Sequence, residues 1–161
     1  MEFVEKIKQK LQERFKSVTF TFEEFRGETT IKFNKESVVE VCEYLKTDDE
    51  LKFNLCEDVT AIDWQRKKNR FTVVYQLFSL FNKTRLRLKC DLGEDTSIDS
   101  VTSIWQSSNW AEREAYDMYG ITFDGHPDLR RMYMPEEFEY YPLRKDFPLM
   151  GIPGSIPLPK K

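Results

Sequence analysis

The residues able to do chemistry are few, and their spacing limits what they can do. The chain has a single histidine, His126, which excludes sites built on two imidazoles, such as two-histidine zinc or iron centres. Followed by Pro127, it reads as a hydrogen-bonded turn residue before it reads as a catalytic base. Three cysteines, Cys42, Cys56 and Cys90, stand 14 and 34 residues apart. An iron–sulfur cluster usually takes four thiolates, so buried structural cysteine is the expectation. The odd count without a Cys-x-x-Cys argues against a disulfide framework and for a reducing compartment. No Gly-x-Gly-x-x-Gly or Walker motif is present to cradle a phosphate. The carboxylates Glu112, Glu114 and Asp117 offer a general acid and base, but Arg113 lies one helical turn before Asp117, and an i, i+4 ion pair is the ordinary use of that spacing.

A further group is basic. Residues 64–90 carry Arg66, Lys67, Lys68, Arg70, Lys83, Arg85, Arg87 and Lys89 and no acidic residue. Such a block near Phe and Tyr residues invites a nucleic-acid reading. The overall charge of −3 and the lack of a signature motif point instead to a solvated hairpin face or a surface for an acidic partner.

The elements that must position these residues can be read from periodicity. Phe3, Ile7, Leu11 and Phe15 form an i, i+4 ladder and predict a first helix, with Glu5, Lys8 and Glu13 toward solvent. Runs at 18–22 and 29–33, separated by Arg26-Gly27-Glu28, predict a hairpin. Ser37 and Glu40 have capping-box spacing before Val38, Val41, Cys42 and Leu45, which predicts a second helix ending near Asp48. Strands are expected at 53–64, 71–81 and 84–92, the last two joined through Asn82-Lys83. In the last, Leu86, Leu88 and Cys90 alternate with Arg85, Arg87 and Lys89, so one face is buried and the other basic. A helical region is expected to open at Ser100 with Val101, Ile104 and Trp105. A fresh start follows, with Asn109 as N-cap and Glu112 three residues on, and Gly120 just past the end.

At 161 residues, with 40% hydrophobic and 33% charged residues, the chain is one domain's worth of folding sequence rather than a disordered one. No apolar run approaches the ~18 residues needed to cross a bilayer, and the start, Met1-Glu2-Phe3-Val4-Glu5-Lys6, carries no signal-peptide core. The expectation is a cytosol-facing protein that meets membranes only through partners. All seven prolines, Pro127, Pro135, Pro142, Pro148, Pro153, Pro157 and Pro159, fall in the last 35 residues, where they forbid long helices and central strands. Many apolar anchors share that segment, so it is expected to be an extended arm lying against a partner, already restricted by proline and losing little entropy on docking. The fold expected is α+β, a mostly antiparallel sheet packed with helices over 1–122, followed by an extended proline-rich C-terminal arm over 123–161.

The stretch Glu112-Arg113-Glu114-Ala115-Tyr116-Asp117-Met118-Tyr119-Gly120-Ile121, with Gly125-His126-Pro127-Asp128-Leu129-Arg130-Arg131 after it, resembles the signature of the respiratory complex I 30 kDa subunit family, the C-type subunits of NADH-quinone oxidoreductase. Tyr141-Pro142-Leu143-Arg144-Lys145-Asp146-Phe147-Pro148-Leu149 resembles that family's second hallmark, and Ser103-Ile104-Trp105-Gln106-Ser107-Ser108-Asn109-Trp110 fits the approach to the first. Tyr133 departs from the pattern, standing where an aliphatic residue is expected. The resemblance implies a scaffold subunit of the peripheral arm of proton-translocating NADH:quinone oxidoreductase, with no catalytic, cofactor-binding or metal-binding residue in this chain. The iron–sulfur clusters and FMN would reside in partner subunits. It also implies a C-terminal arm packed along the D-type subunit that forms the quinone site and near the B- and I-type iron–sulfur subunits. That places it on the cytoplasmic side of the inner (plasma) membrane, or the matrix side in a mitochondrion, with no nucleic-acid partner.

In that setting Arg113 and Asp117 would brace the third helix and Gly120 would let the chain turn out of it. Arg130, Arg131, Arg144, Lys145 and Asp146 would make charge-assisted hydrogen bonds across the interface, with Leu143, Phe147 and Leu149 as apolar anchors; Glu112, His126 and Pro142 complete the motif. The competing expectations are the equivalent subunit of a ferredoxin-dependent plastoquinone-reducing complex or a membrane-bound hydrogenase. From other classes they are a stand-alone nucleic-acid-binding module using the basic hairpin, or a small enzyme using Glu112 or His126.

Overall fold

The computed structural model describes residues 2–154 apart from Lys67, Glu94 and Asp95. Lys67 of the basic block and Pro157 and Pro159 of the arm lie outside the described residues. The first ladder forms α1 (Glu2–Arg14), which buries Ile7 and Leu11. Strands β1 (Thr21–Phe25) and β2 (Glu28–Asn34) form the expected hairpin. Its turn, Arg26 and Gly27, has φ of +54° and +78°, the two positive values that a tight two-residue hairpin turn requires. β1 starts later than its apolar run because Phe20 is drawn into ring contacts with Phe15 and Phe33 at 6.3 and 5.7 Å.

Helix α2 (Val38–Thr47) follows a single 3₁₀ turn at Lys35–Ser37. The expected capping box does not form: Ser37 makes no side-chain cap bond, since the chain enters the helix already wound by the 3₁₀ turn, and its hydroxyl donates to Asn34 Oδ1 instead. Strands β3 (Leu55–Asp63), β4 (Phe71–Ser79) and β5 (Thr84–Leu92) complete a five-stranded sheet in the order β1-β2-β5-β4-β3. Three of its pairings are antiparallel and the β2–β5 pairing is parallel. One face supplies Ile31, Val59, Val73, Tyr75, Leu86 and Leu88 to the core. The three cysteines are buried in that core, on α2, β3 and β5.

On the other face of β5 two of the basic side chains are paired with acids, Arg85 with Glu57 of β3, two strands away, at 3.0 Å and Arg87 with Glu28 of the adjacent β2 at 2.6 Å. Beyond the sheet, β6 (Ser97–Asp99) and β7 (Thr122–Asp124) form a parallel pair connected through α3 (Ser108–Tyr119). No helix opens at Ser100; residues 101–107 run as turns, and Asn109 lies inside α3 rather than capping it. The cause is Glu112, whose carboxylate takes the Ser100 hydroxyl at 2.6 Å and the Val101 amide at 2.8 Å and so folds the preceding loop back onto α3. β7 crosses the boundary expected at 122. No helix among the described residues is long and apolar enough to cross a membrane.

Candidate functional site

Most motif residues converge on one place, the flank and C-terminal end of α3 against which residues 128–147 fold back, whereas Glu112 faces the Ser100-Val101 loop. Asp117, with no exposed surface, is the centre of this arrangement. Its Oδ2 accepts the backbone amides of Met132, Tyr133 and Met134 at 3.0, 2.7 and 3.0 Å, and its Oδ1 accepts Arg131 Nη1 at 2.8 Å. Burial alone would raise its pKa. The three amides and Arg131 outweigh it and hold the carboxyl below the usual aspartate value.

The expected i, i+4 pair between Arg113 and Asp117 is therefore corrected. Arg113 donates instead to the carbonyls of Arg130 and Arg131 at 3.2 and 3.4 Å and lies 4.9 Å over the ring of Trp110. Arg131 continues outward, donating to Tyr140 O and stacking on Tyr141 and Phe138 at 5.1 and 5.8 Å. Phe138, Tyr140 and Phe147 close a small ring cluster, with centroids 5.6 to 6.4 Å apart.

The second motif caps α3. A helix leaves its last four carbonyls without partners, and here all four are satisfied: Tyr116 O by Gly120 N, Asp117 O by Arg131 Nη1, Met118 O by Leu143 N, and Tyr119 O by Arg144 Nε. Gly120 is left-handed, with φ +73°, as its predicted place past the helix required. It also has a steric role, since a Cβ there would lie 2.5 Å from Arg144 Nη2 and 2.6 Å from the Tyr141 ring. Arg144 is sandwiched between Tyr141 and Phe71, at 4.3 and 5.3 Å.

Asp63, which carried no signal in the sequence, and Arg70, read there only as part of the basic block, complete the fastening. Asp63, at the end of β3, accepts Arg70 through both oxygens at 3.0 and 2.8 Å and the amides of Gln65 and Lys145. Burial opposes its ionisation, but Arg70 and these amides pull it down to about 2. Arg70 reaches on to Asp146 at 2.9 Å. Nothing local in the sequence ties Asp63 to a partner 82 positions away.

Arg131, Arg144 and Asp146, assigned to a subunit interface on the resemblance, are thus bonded within the chain through their side chains and Lys145 through its backbone amide only, and exposed Arg130 pairs with Asp128 at 2.8 Å. His126 accepts the Asp128 amide at Nδ1, which places the ring proton on Nε2 facing Asn109 O at 3.2 Å. Burial pushes the Glu112 carboxyl up to about 7, against its bonds to Ser100, Val101 and Ser108. Burial likewise raises the Cys56 thiol to about 12.

Side chains of this segment that find no core remain outside: Tyr133, Leu143, Leu149 and Met150, the last two essentially fully exposed. The departure at Tyr133 is accommodated there, because only its backbone amide is needed by Asp117.

The profile of the family described as respiratory-chain NADH dehydrogenase, 30 Kd subunit, matches residues 31–153. The NADH-quinone oxidoreductase C-type subunit of Geobacter metallireducens is 48% identical over 150 residues, covering 92% of this chain and 91% of that protein. The second C-type subunit of Rhizobium meliloti NADH-quinone oxidoreductase is 53% identical over 121 residues, 75% of this chain and 66% of its own length. Among solved structures, the trypsin-resistant fragment (1-134) of Nqo5 superposes with a TM-score of 0.67 at 29% identity, over 78% of this chain and 98% of that one. A chain of the membrane-bound sulfane sulfur reductase, an archaeal respiratory membrane complex, shares the fold with a TM-score of 0.72 at 22% identity, over 91% of this chain and 86% of that one. With the profile spanning both motifs and most of the sheet, the chain belongs to the 30 kDa subunit family of respiratory-chain NADH dehydrogenase.

Proposed function

We propose that this chain is a scaffold subunit of proton-translocating NADH:quinone oxidoreductase, supporting electron transfer from NADH to quinone by holding the quinone-reducing module together. It carries no catalytic group and no cofactor of its own; the iron–sulfur clusters and FMN belong to partner subunits. One observation carries this reading: Arg131, Arg144, Asp146 and the backbone amides of 132–134 and Lys145 are bonded within the chain, while Tyr133, Leu143, Leu149 and Met150 are left facing outward. A segment pre-ordered on its own domain, with apolar side chains unburied, is suited to pack on another protein at low entropic cost. The partners proposed for it are the D-type quinone-site subunit and the B- and I-type iron–sulfur subunits, on the cytoplasmic side of the membrane, or the matrix side in a mitochondrion. Relatives named as subunits of NADH-quinone oxidoreductase favour NADH as the electron source over a ferredoxin.

The test is complementation of a strain lacking this subunit with a Leu143→Ser, Leu149→Ser, Met150→Ser triple variant. The chain should fold and accumulate, while membranes lose most of their NADH:quinone reduction because the complex no longer assembles. Full activity with this variant would overturn the reading.

A further inference from the structure

The end of the sheet remote from the arm carries a second exposed apolar feature. β4 and β5 close at Ser79 and Thr84, about 26 Å along β4 from the Phe71 end where Arg144 stacks. The intervening turn, Leu80-Phe81-Asn82-Lys83, puts two large apolar side chains outside, Leu80 at 59% and Phe81 at 72% exposure. Turns of this length ordinarily carry Gly, Asn, Asp, Ser or Pro, and here the polar position is used for bracing. Asn82 Nδ2 donates to the carbonyls of Glu50 and Leu51 at 2.9 and 2.8 Å and to Ser79 Oγ at 3.2 Å. The Asn82 amide also donates to Ser79 Oγ, and the Leu80 amide to Asn54 Oδ1. The turn is therefore fastened to the 50–54 loop, and the apolar pair stands on a rigid base.

The surrounding charge is basic. Lys52 Nζ sits 4.9 Å over the Phe81 ring, and Lys83 lies within the same turn. The nearby acids are engaged elsewhere, Glu50 with Lys6 and Lys10 and Glu57 with Arg85.

We infer that Leu80-Phe81 is a preformed knob that inserts into an apolar cleft with a carboxylate rim on a second protein of the same assembly. The inference rests on the scaffold reading, and adds a contact at the opposite end of the sheet from the arm. An aromatic anchor with a rigid backbone and a cationic rim has the composition of an interface hot spot, and the cationic Lys52 and Lys83 select a carboxylate-bearing partner.

Because the native cysteines are buried, Phe81→Cys creates one accessible thiol in the full chain. Its maleimide labelling is compared between the free chain and the chain purified within the complex, so that any folding defect affects both arms. A benzophenone maleimide on the same thiol then identifies the neighbour. The expected result is labelling at least roughly tenfold slower in the complex, with crosslinks to one partner protein that are lost in a Lys52→Glu, Lys83→Glu background. A folded variant that no longer joins the complex, where the wild type does, supports the inference equally. Equal labelling in both forms, or crosslinks confined to lipid, overturns it and leaves the scaffold reading standing. Failure of the wild-type chain itself to purify with any complex overturns both.

Discussion

Asp117 shows how one buried carboxylate organises residues that are distant in sequence. It holds three successive amides and Arg131, so Asp117→Asn places amide hydrogens where acceptors are needed and leaves Arg131 uncompensated. The expected loss is about 3 kcal/mol of stability, read by denaturant unfolding, with faster hydrogen exchange at 132–134 than elsewhere. Glu112 gives the opposite pH behaviour. Its pKa is raised in the folded chain to about 7 from 4.5, so its contribution is fully present below about pH 4.5 and lost as pH rises toward 7. Glu112→Gln, which cannot ionise, is expected to flatten that decline; an unchanged slope in urea unfolding across that range would show that another group causes it. Arg113 and Asp117 also mark where sequence reasoning fails at this scale. Their i, i+4 spacing is a sound basis for an ion pair, but each finds partners in a segment that local spacing cannot bring near: backbone amides for Asp117 and backbone carbonyls for Arg113.

At the level of elements, periodicity was a good guide wherever a face is simply buried. α1, α2, β4 and β5 all lie where their apolar patterns put them, and Gly120 caps α3 as its position predicted. The parallel β2–β5 pairing was not legible, because the intervening β3–β4 hairpin separates the partners in sequence and both strand patterns fit either direction. The 100–107 region misled for a related reason: its apolar spacing is helical, but the Glu112 carboxylate competes successfully for the Val101 amide. The arm was legible as restricted and apolar, but not as bonded to its own domain through Asp63 and Arg70, which lie on the β3–β4 hairpin. Two changes probe that fastening. Gly120→Ala adds both left-handed strain and a clash with Tyr141 and Arg144, and is expected to cost about 2 kcal/mol and to speed exchange at residues 141–147. In the wild type, the same segment should loosen under acid: Asp63 is depressed to about 2 from 3.8, so its contribution is complete above about pH 4 and disappears as pH falls toward 2. Exchange protection at 143–147 that persists at the acid end would contradict this.

The whole molecule has an arm face and a hairpin tip at opposite ends of one sheet, with the potential ligand groups of its core buried: three thiols, Glu112 and the Tyr75 ring. On the proposed scaffold reading such a body would connect other proteins, and the two motifs would serve that purpose by holding the arm on α3 before a partner arrives. The claim is tested most directly by purifying an affinity-tagged chain from its native membranes and measuring the mass and composition of the particle that comes with it. The expected result is a large particle containing iron–sulfur subunits and NADH:quinone reductase activity, with this chain in fixed ratio to the others. A monodisperse monomer, recovered from cells whose NADH:quinone reduction survives deletion of the chain, would contradict it.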